Sequence, residues 1–435
     1  MPRPTEIFYA PGEERLDSAA LITLQRNKLA AMLREVLAKN AFYRKKFDGI
    51  LFDPLTDQIG KLPFTTRAEL EADQLAHPPF GTNLSYSVDQ YCRYHQTSGT
   101  GGRAMRWLDT VESWAWFRKV WGIILTSAGV GPADRILFAF SFGPFVGFWG
   151  AFEGASAVGS LCLPAGGLPT PARLKMLIEN EATVVCCTPT YALHMAEVAS
   201  REGIDLRSSK VQSIIVAGEP GGSIPATRQR IESAWGARVV DHTGMTEIGP
   251  VSFECAARRG QGVHIIESEF IPEVIDPMTA RQVPDGQTGE LVLTNLGRWG
   301  SPLIRYRTGD HVRLSRGRCG CGRSFAYLEA GILGRVDEMF IVRGNNVFPT
   351  AIEAVLRGFS EVAEFRCTID ETAALTQVLV EVEPVPQCAQ RSSLPDRVGQ
   401  ALQAALHFRA EVLLVESGAL PRFELKGRRF VRVRN

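Results

Sequence analysis

"ATVVCCTPTYALHMAEVASREG" (residues 182–203) is the stretch whose reading decides the fold. "ATVVCCTP" is short, apolar and rich in strand-forming residues, and it does not alternate with polar positions. It therefore reads as a strand buried on both faces. "TYALHMAEVASREG", directly after the proline, reads as a helix. The same rhythm extends in both directions. Upstream lie the apolar run "DRILFAF" and the capped helix "PTPARLKMLIENE". Downstream come the strand "VQSIIVAGEP", the helix "SIPATRQRIESAWG" and the strand "ARVVDHTG". Strands that alternate with helices imply a mixed or parallel sheet covered by helices, an α/β fold.

Outside this block the texture differs. Residues 17–47 read as one amphipathic helix, with Leu21, Leu24, Leu29, Met32, Leu33 and Val36 near helical spacing. "KLPFTTRAEL" supplies a proline break and a capping box from Thr66 to Glu69. From residue 262, "GVHIIESEFIPEVID", "TGELVLTNL" and "DHVRLS" read as antiparallel strands of a β-rich subdomain. From Gly334, "DEMFIVRGNNVFPTAIEAVLRGF" reads as strand, tight turn at Gly344 and Asn345, and helix. "QVLVEVEPV", a helix over 393–406 and "AEVLLVES" complete a small α+β unit. The expected domains are 1–333 and 334–435.

With 435 residues, 45% of them hydrophobic, the chain has ample material for a large core and a second domain. A net charge of +1 excludes a nucleic-acid binder held by a basic surface, so an anionic ligand must be met by local groups. The amino-terminal residues lack the apolar core of a secretory signal, and nine cysteines form no small disulfide framework, which reads as a reducing cytoplasm. The apolar stretch 136–163 is long enough for a membrane span. Its five glycines, Pro144 and Glu153 argue instead for buried strands and turns.

Five motifs carry candidate chemistry. "HQTSGTGGRAMRW" (95–107) packs hydroxyls and glycines so that backbone N–H groups can approach phosphate oxygens; the alternative is a surface turn. "DHTGMTE" (241–247) offers Glu247 after a strand end, as a magnesium ligand or as part of a helix start. "RYRTGD" (305–310) offers Asp310 to a ribose diol, or is a common turn. "GRVDEMFIVRGNNVFP" (334–349) places Arg335 and Asp337 at the domain boundary. "PRFELKGRRF" (421–430) offers Lys426 as a mobile point charge, or is a solvated basic tail.

The order of these motifs resembles the adenylate-forming superfamily. "LPFTTRAEL", "CTPTYAL", "AGEP" and "RGNNVFPTAIE" are similar to the phenylacetate–CoA ligase branch, from about Leu24 to Val431. The resemblance implies that ATP activates a carboxylic acid to acyl-AMP, which is then transferred to coenzyme A. Lys426, Thr246 and Glu247 (with Mg2+) take the catalytic roles. Thr97, Ser98, Gly99, Thr100, Gly101, Gly102 and Arg103 hold the β- and γ-phosphates. Gly218, Glu219 and Pro220 lie near adenine with Asp241, His242 and Thr243, and Asp310 and Arg335 hold the ribose. The small domain turns about Asp337 between the two steps, which brings "RGNNVFP" to the thiol channel. Two positions depart from the family pattern: Arg103 stands where a lysine is usual, and Thr243 where an aromatic is usual.

The acyl pocket is expected between Phe140, Phe142, Gly143 and Phe145 on one side and Ala217, Gly244 and Met245 on the other. Its flat apolar walls suit an arylacetate or a benzoate or anthranilate type of acid. Two alternatives are an enzyme that loads an acyl carrier protein, and a non-catalytic zinc-bearing binding protein on a degenerate ligase fold. A homodimer is implied by family analogy, and neither nucleic acid nor membrane is an expected partner. Cys255, His264, Cys319 and Cys321 supply three thiolates and an imidazole, a tetrahedral zinc set, or are four unconnected residues. The resemblance favours structural zinc.

Overall fold

In the computed structural model, residues 8–97, 104–140, 142–343, 345–372, 376–423 and 427–434 are described. Val184–Cys187 is a strand with every residue buried, at the centre of a five-stranded parallel sheet. The strand order is Leu161–Pro164, Arg135–Phe138, Val184–Cys187, Ser213–Val216, Arg238–Asp241. Successive side chains of a strand point to opposite faces. Ile136, Phe138, Val184 and Cys186 thus join one apolar core, with Trp114, Phe117 and Trp121 of the Val111–Ser127 helix. Leu137, Ala139, Val185 and Cys187 join the other, with Tyr191, Met195 and Trp235 from the Pro189–Arg201 and Pro225–Trp235 helices. This two-sided burial explains why the strands carry no alternation in sequence.

A six-stranded antiparallel sheet follows, in the order Ser252–Phe253, Gly262–Ile265, Tyr327–Arg335, Tyr306–Ser315, Thr288–Asn295, Phe270–Ile275. It ends at Arg335, and a separate apolar cluster begins at Phe340. That cluster fills a four-stranded sheet (Glu411–Leu414, Gln377–Pro384, Val362–Asp370, Phe430–Val433) with the Pro349–Arg357 and Leu394–Leu406 helices.

Four expectations need correction. Residues 17–47 form two helices, Ser18–Lys39 and Ala41–Lys46, because Asn40 turns extended and its side chain caps the second by accepting from the Tyr43 N–H at 3.1 Å. The 136–163 stretch contains a helix, Val146–Val158, between its two strands. Two of its glycines serve packing: a Cβ on Gly154 would lie 2.4 Å from Trp121 Cβ, and one on Gly150 2.7 Å from Trp121 Nε1. "RYRTGD" is no turn but enters the Tyr306–Ser315 strand, with Gly309 at φ +76 beside a break in register. "DHTGMTE" starts no helix; Gly244–Met245 pairs with Gly249–Pro250. The Thr66–Glu69 capping box is present. Among the described residues no helix is long and apolar enough to cross a membrane, and all nine cysteines are free.

Candidate active site

Parallel strands deliver their following loops to one edge of a sheet, where open α/β folds bind ligands. Four loops arise this way. Phe140–Phe145 follows Arg135–Phe138, and Thr188–Thr190 follows Val184–Cys187. Ala217–Pro220 follows Ser213–Val216, and His242–Glu247 follows Arg238–Asp241. The topology therefore brings together segments that lie a hundred residues apart.

The glycine loop opens from a hairpin, Tyr91–Gln96 against Arg106–Thr110. Its neck is tied at Thr97. The Thr97 N–H donates to the Met105 carbonyl at 2.9 Å, and the Met105 N–H donates to Thr97 Oγ1 at 3.0 Å. The Gln96 N–H reaches the Pro144 carbonyl at 2.8 Å, which joins this neck to the aromatic loop. Ser98, Gly99, Thr100, Gly101, Gly102 and Arg103 lie outside the described residues, as do Gly344 and Lys426.

The Thr246–Glu247 loop is held from beneath by Arg298, a residue that the sequence motifs do not mark. Arg298 Nη1 donates to the carbonyls of Thr246 and Glu247 at 2.8 and 2.7 Å. Its Nε and Nη2 grip Asp109 at 2.6 and 2.8 Å, both side chains being fully buried. Burial opposes the charge on Asp109, but the Arg298 guanidinium prevails and holds its carboxyl below the ordinary range. The Glu247 carboxylate is buried and accepts from Arg67 Nη1 at 3.0 Å. Tyr306, buried beside it, lies in the electrostatic field of Glu247, Arg67, Arg335 and Asp310.

Asp310 pairs across the sheet with Arg335, Nη1 to Oδ1 at 3.3 Å, and Arg335 also forks onto Asp337 at 2.9 and 3.0 Å. Burial lifts the Asp310 carboxyl to about 7, with Arg335 pulling the other way. Burial likewise lifts Asp241 to about 7, against the hydroxyl that Ser223 donates to it. His242 is driven down to about 4 by burial; its Nδ1 has no partner among the described residues, and its ring meets the edge of Trp121 at 4.7 Å. Thr243 bonds to Ser252 through its N–H and hydroxyl, both at 2.8 Å.

The aromatic wall is a cluster. Phe140 stacks on Phe148 with centroids 4.1 Å apart, Phe142 meets Trp149 and Phe152 edge-on, and Phe145 meets Phe148. The Gly143 carbonyl accepts from Trp149 Nε1 at 2.9 Å. Met245 is half-buried against the same core, while Gly218, Pro220 and Gly244 are exposed. Glu219 holds the start of the Pro189–Arg201 helix and the tail at once: Oε1 accepts from the Thr190 N–H at 2.8 Å and Oε2 from the Gly427 N–H at 2.6 Å.

Cys255, His264, Cys319 and Cys321 are all buried, and one ligand atom from each lies within 4.8 Å of the others. Cys255 Sγ is 3.7 Å from Cys319 Sγ, and Cys321 Sγ is 3.7 Å from His264 Nε2. A tetrahedron with metal–sulfur bonds of about 2.3 Å has edges of about 3.8 Å. His264 Nδ1 lies 3.0 Å from the Phe325 carbonyl, which favours the Nδ1–H tautomer and leaves Nε2 free to ligate. The Cys255 thiol, and then His264, draw the Cys321 thiol far down despite burial.

Residues 24–297 match the model of the AMP-binding enzyme family, and residues 344–434 that of the AMP-binding enzyme C-terminal domain. The chain is 31% identical to a phenylacetate-coenzyme A ligase of Thermus thermophilus, over 96% of this chain and 97% of that one. A crystal structure of 2-hydroxyisobutyryl-CoA ligase in the postadenylation state, in complex with 2-HIB-AMP, is 30% identical and superposes with a TM-score of 0.92 over 98% of this chain and 92% of that one. The thioesterification state of the same ligase, with 2-HIB-AMP and CoA, superposes with a TM-score of 0.73, at 30% identity, over 97% and 91%.

Proposed function

The chain belongs to the family of AMP-binding enzymes, and from that premise we propose that it activates an aromatic carboxylic acid with ATP and passes the acyl group to coenzyme A. The observation that carries this reading is the convergence, on one edge of the parallel sheet, of the Phe140–Phe145 wall, the Ala217–Pro220 loop, the buried Glu247 loop and the tail held at Gly427. The relatives are named for an arylacetate and for a short hydroxy acid. Among these, the clustered rings of Phe140, Phe142 and Phe145 suit the aryl acid.

In the first half-reaction the acid's carboxylate attacks the α-phosphorus of ATP and pyrophosphate leaves. Two anions must meet, so the chain's task is positioning and charge compensation. We assign the outer phosphates to Thr97 and the hydroxyl and glycine residues that follow it in sequence, the ribose hydroxyls to Asp310, and the cation between acid and phosphate to Lys426. Glu247 is the carboxylate for magnesium, a hard cation that neutralises phosphate charge when bound. In the second half-reaction the thiol of coenzyme A attacks the acyl carbon and AMP leaves. We assign residues 1–333 to the large domain and 334–435 to a lid that turns about Asp337. The closer likeness to the postadenylation state supports reading the present arrangement as that of the first step.

ATP–pyrophosphate exchange across benzoates, arylacetates and aliphatic acids tests this. Exchange with an aryl acid, followed by thioester formation with coenzyme A, is expected. No exchange with any acid sinks the reading, and acceptance by a phosphopantetheinylated carrier protein in place of coenzyme A redirects it. A second assignment rests on its own observation. Cys255, His264, Cys319 and Cys321 hold a structural zinc, because four buried donors at tetrahedral spacing leave no position open for chemistry. Metal analysis of the purified protein checks it, with about one zinc per chain expected.

A further inference from the structure

Thr190 stands in a closed ring of hydrogen bonds that joins the sheet edge to the tail. Its N–H donates to Glu219 Oε1 at 2.8 Å. Glu219 Oε2 accepts the Gly427 N–H at 2.6 Å. Two residues on, Arg429 Nη1 returns to Thr190 Oγ1 at 3.0 Å. Arg429 is set for this by Glu364 of its own unit, which takes its Nε and Nη2 at 2.6 and 2.9 Å. Thr190, Arg429 and Glu364 are all more than nine-tenths buried. The two bonds that cross the seam, Arg429 to the Thr190 hydroxyl and the Gly427 N–H to the Glu219 carboxylate, each have one charged partner, and they form only when both surfaces meet.

We propose that Thr190 is a positioning residue for acid adenylation: its N–H and hydroxyl, through Glu219 and Arg429, clasp residues 427–429 to the sheet edge and so set the register of the residue before them, Lys426. This rests on the reading of Lys426 as the cation of the first half-reaction, and it extends that reading to a residue that touches no substrate. Two other contacts across the same seam are weaker. Arg422 to Glu197, at 3.2 Å, has an exposed carboxylate, and Arg230 gives a single bond to the Val362 carbonyl, also at 3.2 Å. The clasp also explains how the tail is released: turning the lid breaks two short bonds at Thr190 and Glu219 and leaves the Arg429–Glu364 pair intact.

Thr190→Val tests this in the full-length enzyme, since it keeps the backbone N–H and the shape but removes the acceptor for Arg429; Thr190→Ser restores it. Pyrophosphate exchange is expected to fall about tenfold in Thr190→Val, the scale of a hydrogen bond lost from a charged partner, and to recover in Thr190→Ser. Thioester formation from supplied acyl-AMP and coenzyme A should stay near that of the unaltered enzyme. Amide hydrogen exchange over 427–429 should quicken in Thr190→Val and also in Glu219→Gln. Equal loss of both half-reactions, or unchanged amide exchange in both variants, overturns the clasp. Should the unaltered enzyme exchange pyrophosphate with no acid, the adenylation reading fails, and with it the positioning role of Thr190; the amide exchange still decides whether the clasp exists.

Discussion

Two buried arginine–carboxylate pairs hold parts of this site, and they differ in what else each arginine touches. Arg298 forks onto Asp109 and spends its remaining donor on the backbone of Thr246 and Glu247. Every partner belongs to the large unit. Arg429 forks onto Glu364 within the small unit and sends its remaining donor to Thr190 of the large one. On the proposed lid motion, the same chemistry serves as a permanent rivet in one place and as a separable clasp in the other. What distinguishes them is whether the third contact crosses the seam.

Substitutions can break this contrast or sharpen it. The largest effect is expected from Lys426→Ala, which should cost adenylation on the order of 10²–10³-fold while thioester formation from supplied acyl-AMP persists. Comparable losses in the two assays would argue that the tail does not leave the site between steps. Asp109→Asn strands the Arg298 charge in the core. It should lower stability by about 3–5 kcal/mol, read by denaturant titration, and depress both half-reactions together, unlike any change at the clasp. Cys319→Ser should lose zinc and lower the melting temperature while folded enzyme keeps its chemistry; full metal occupancy in that variant would refute the ligand set.

A pH experiment probes Asp310, which pairs with Arg335. Asp310 titrates at about 7 in the folded chain, above the 3.8 of an unfolded aspartate. Between those values the folded state holds the extra proton, so this group's contribution to stability is complete below pH about 4 and is lost as the pH rises through about 7. With Asp310 in its proposed place at the ribose, nucleotide binding is expected to run the opposite way, because the ribose hydroxyls favour the ionised carboxylate. The KM for ATP should therefore fall from pH 6 to pH 8, and Asp310→Asn should flatten both profiles. The smallest effect belongs to Glu197→Gln. Its pair with Arg422 is exposed on the carboxylate side, so a change of less than about 1 kcal/mol in stability is expected.

The parallel block was legible because burial on both faces demands uninterrupted apolar strands, and Val184–Cys187 shows the pattern directly. The Val146–Val158 helix was not: its Gly150 and Gly154 read as turn residues, and only the Trp121 ring against them shows that they make room for another helix. The cysteine set could be written from composition and spacing. That its ligand atoms meet depended on the Gly262–Ile265 strand pairing with Tyr327–Arg335 beside Cys319 and Cys321.

Residue order alone determined the alternation of strands and helices, the motif loops and their succession, because these depend on periodicity and on turn chemistry within a few positions. Asp109 with Arg298 and Thr190 with Arg429 are ordinary polar residues in a linear reading, separated by 189 and 239 positions. Only the folded chain decided that they become partners, since a buried charge gains its worth from the group opposite it, and tertiary packing chooses that group.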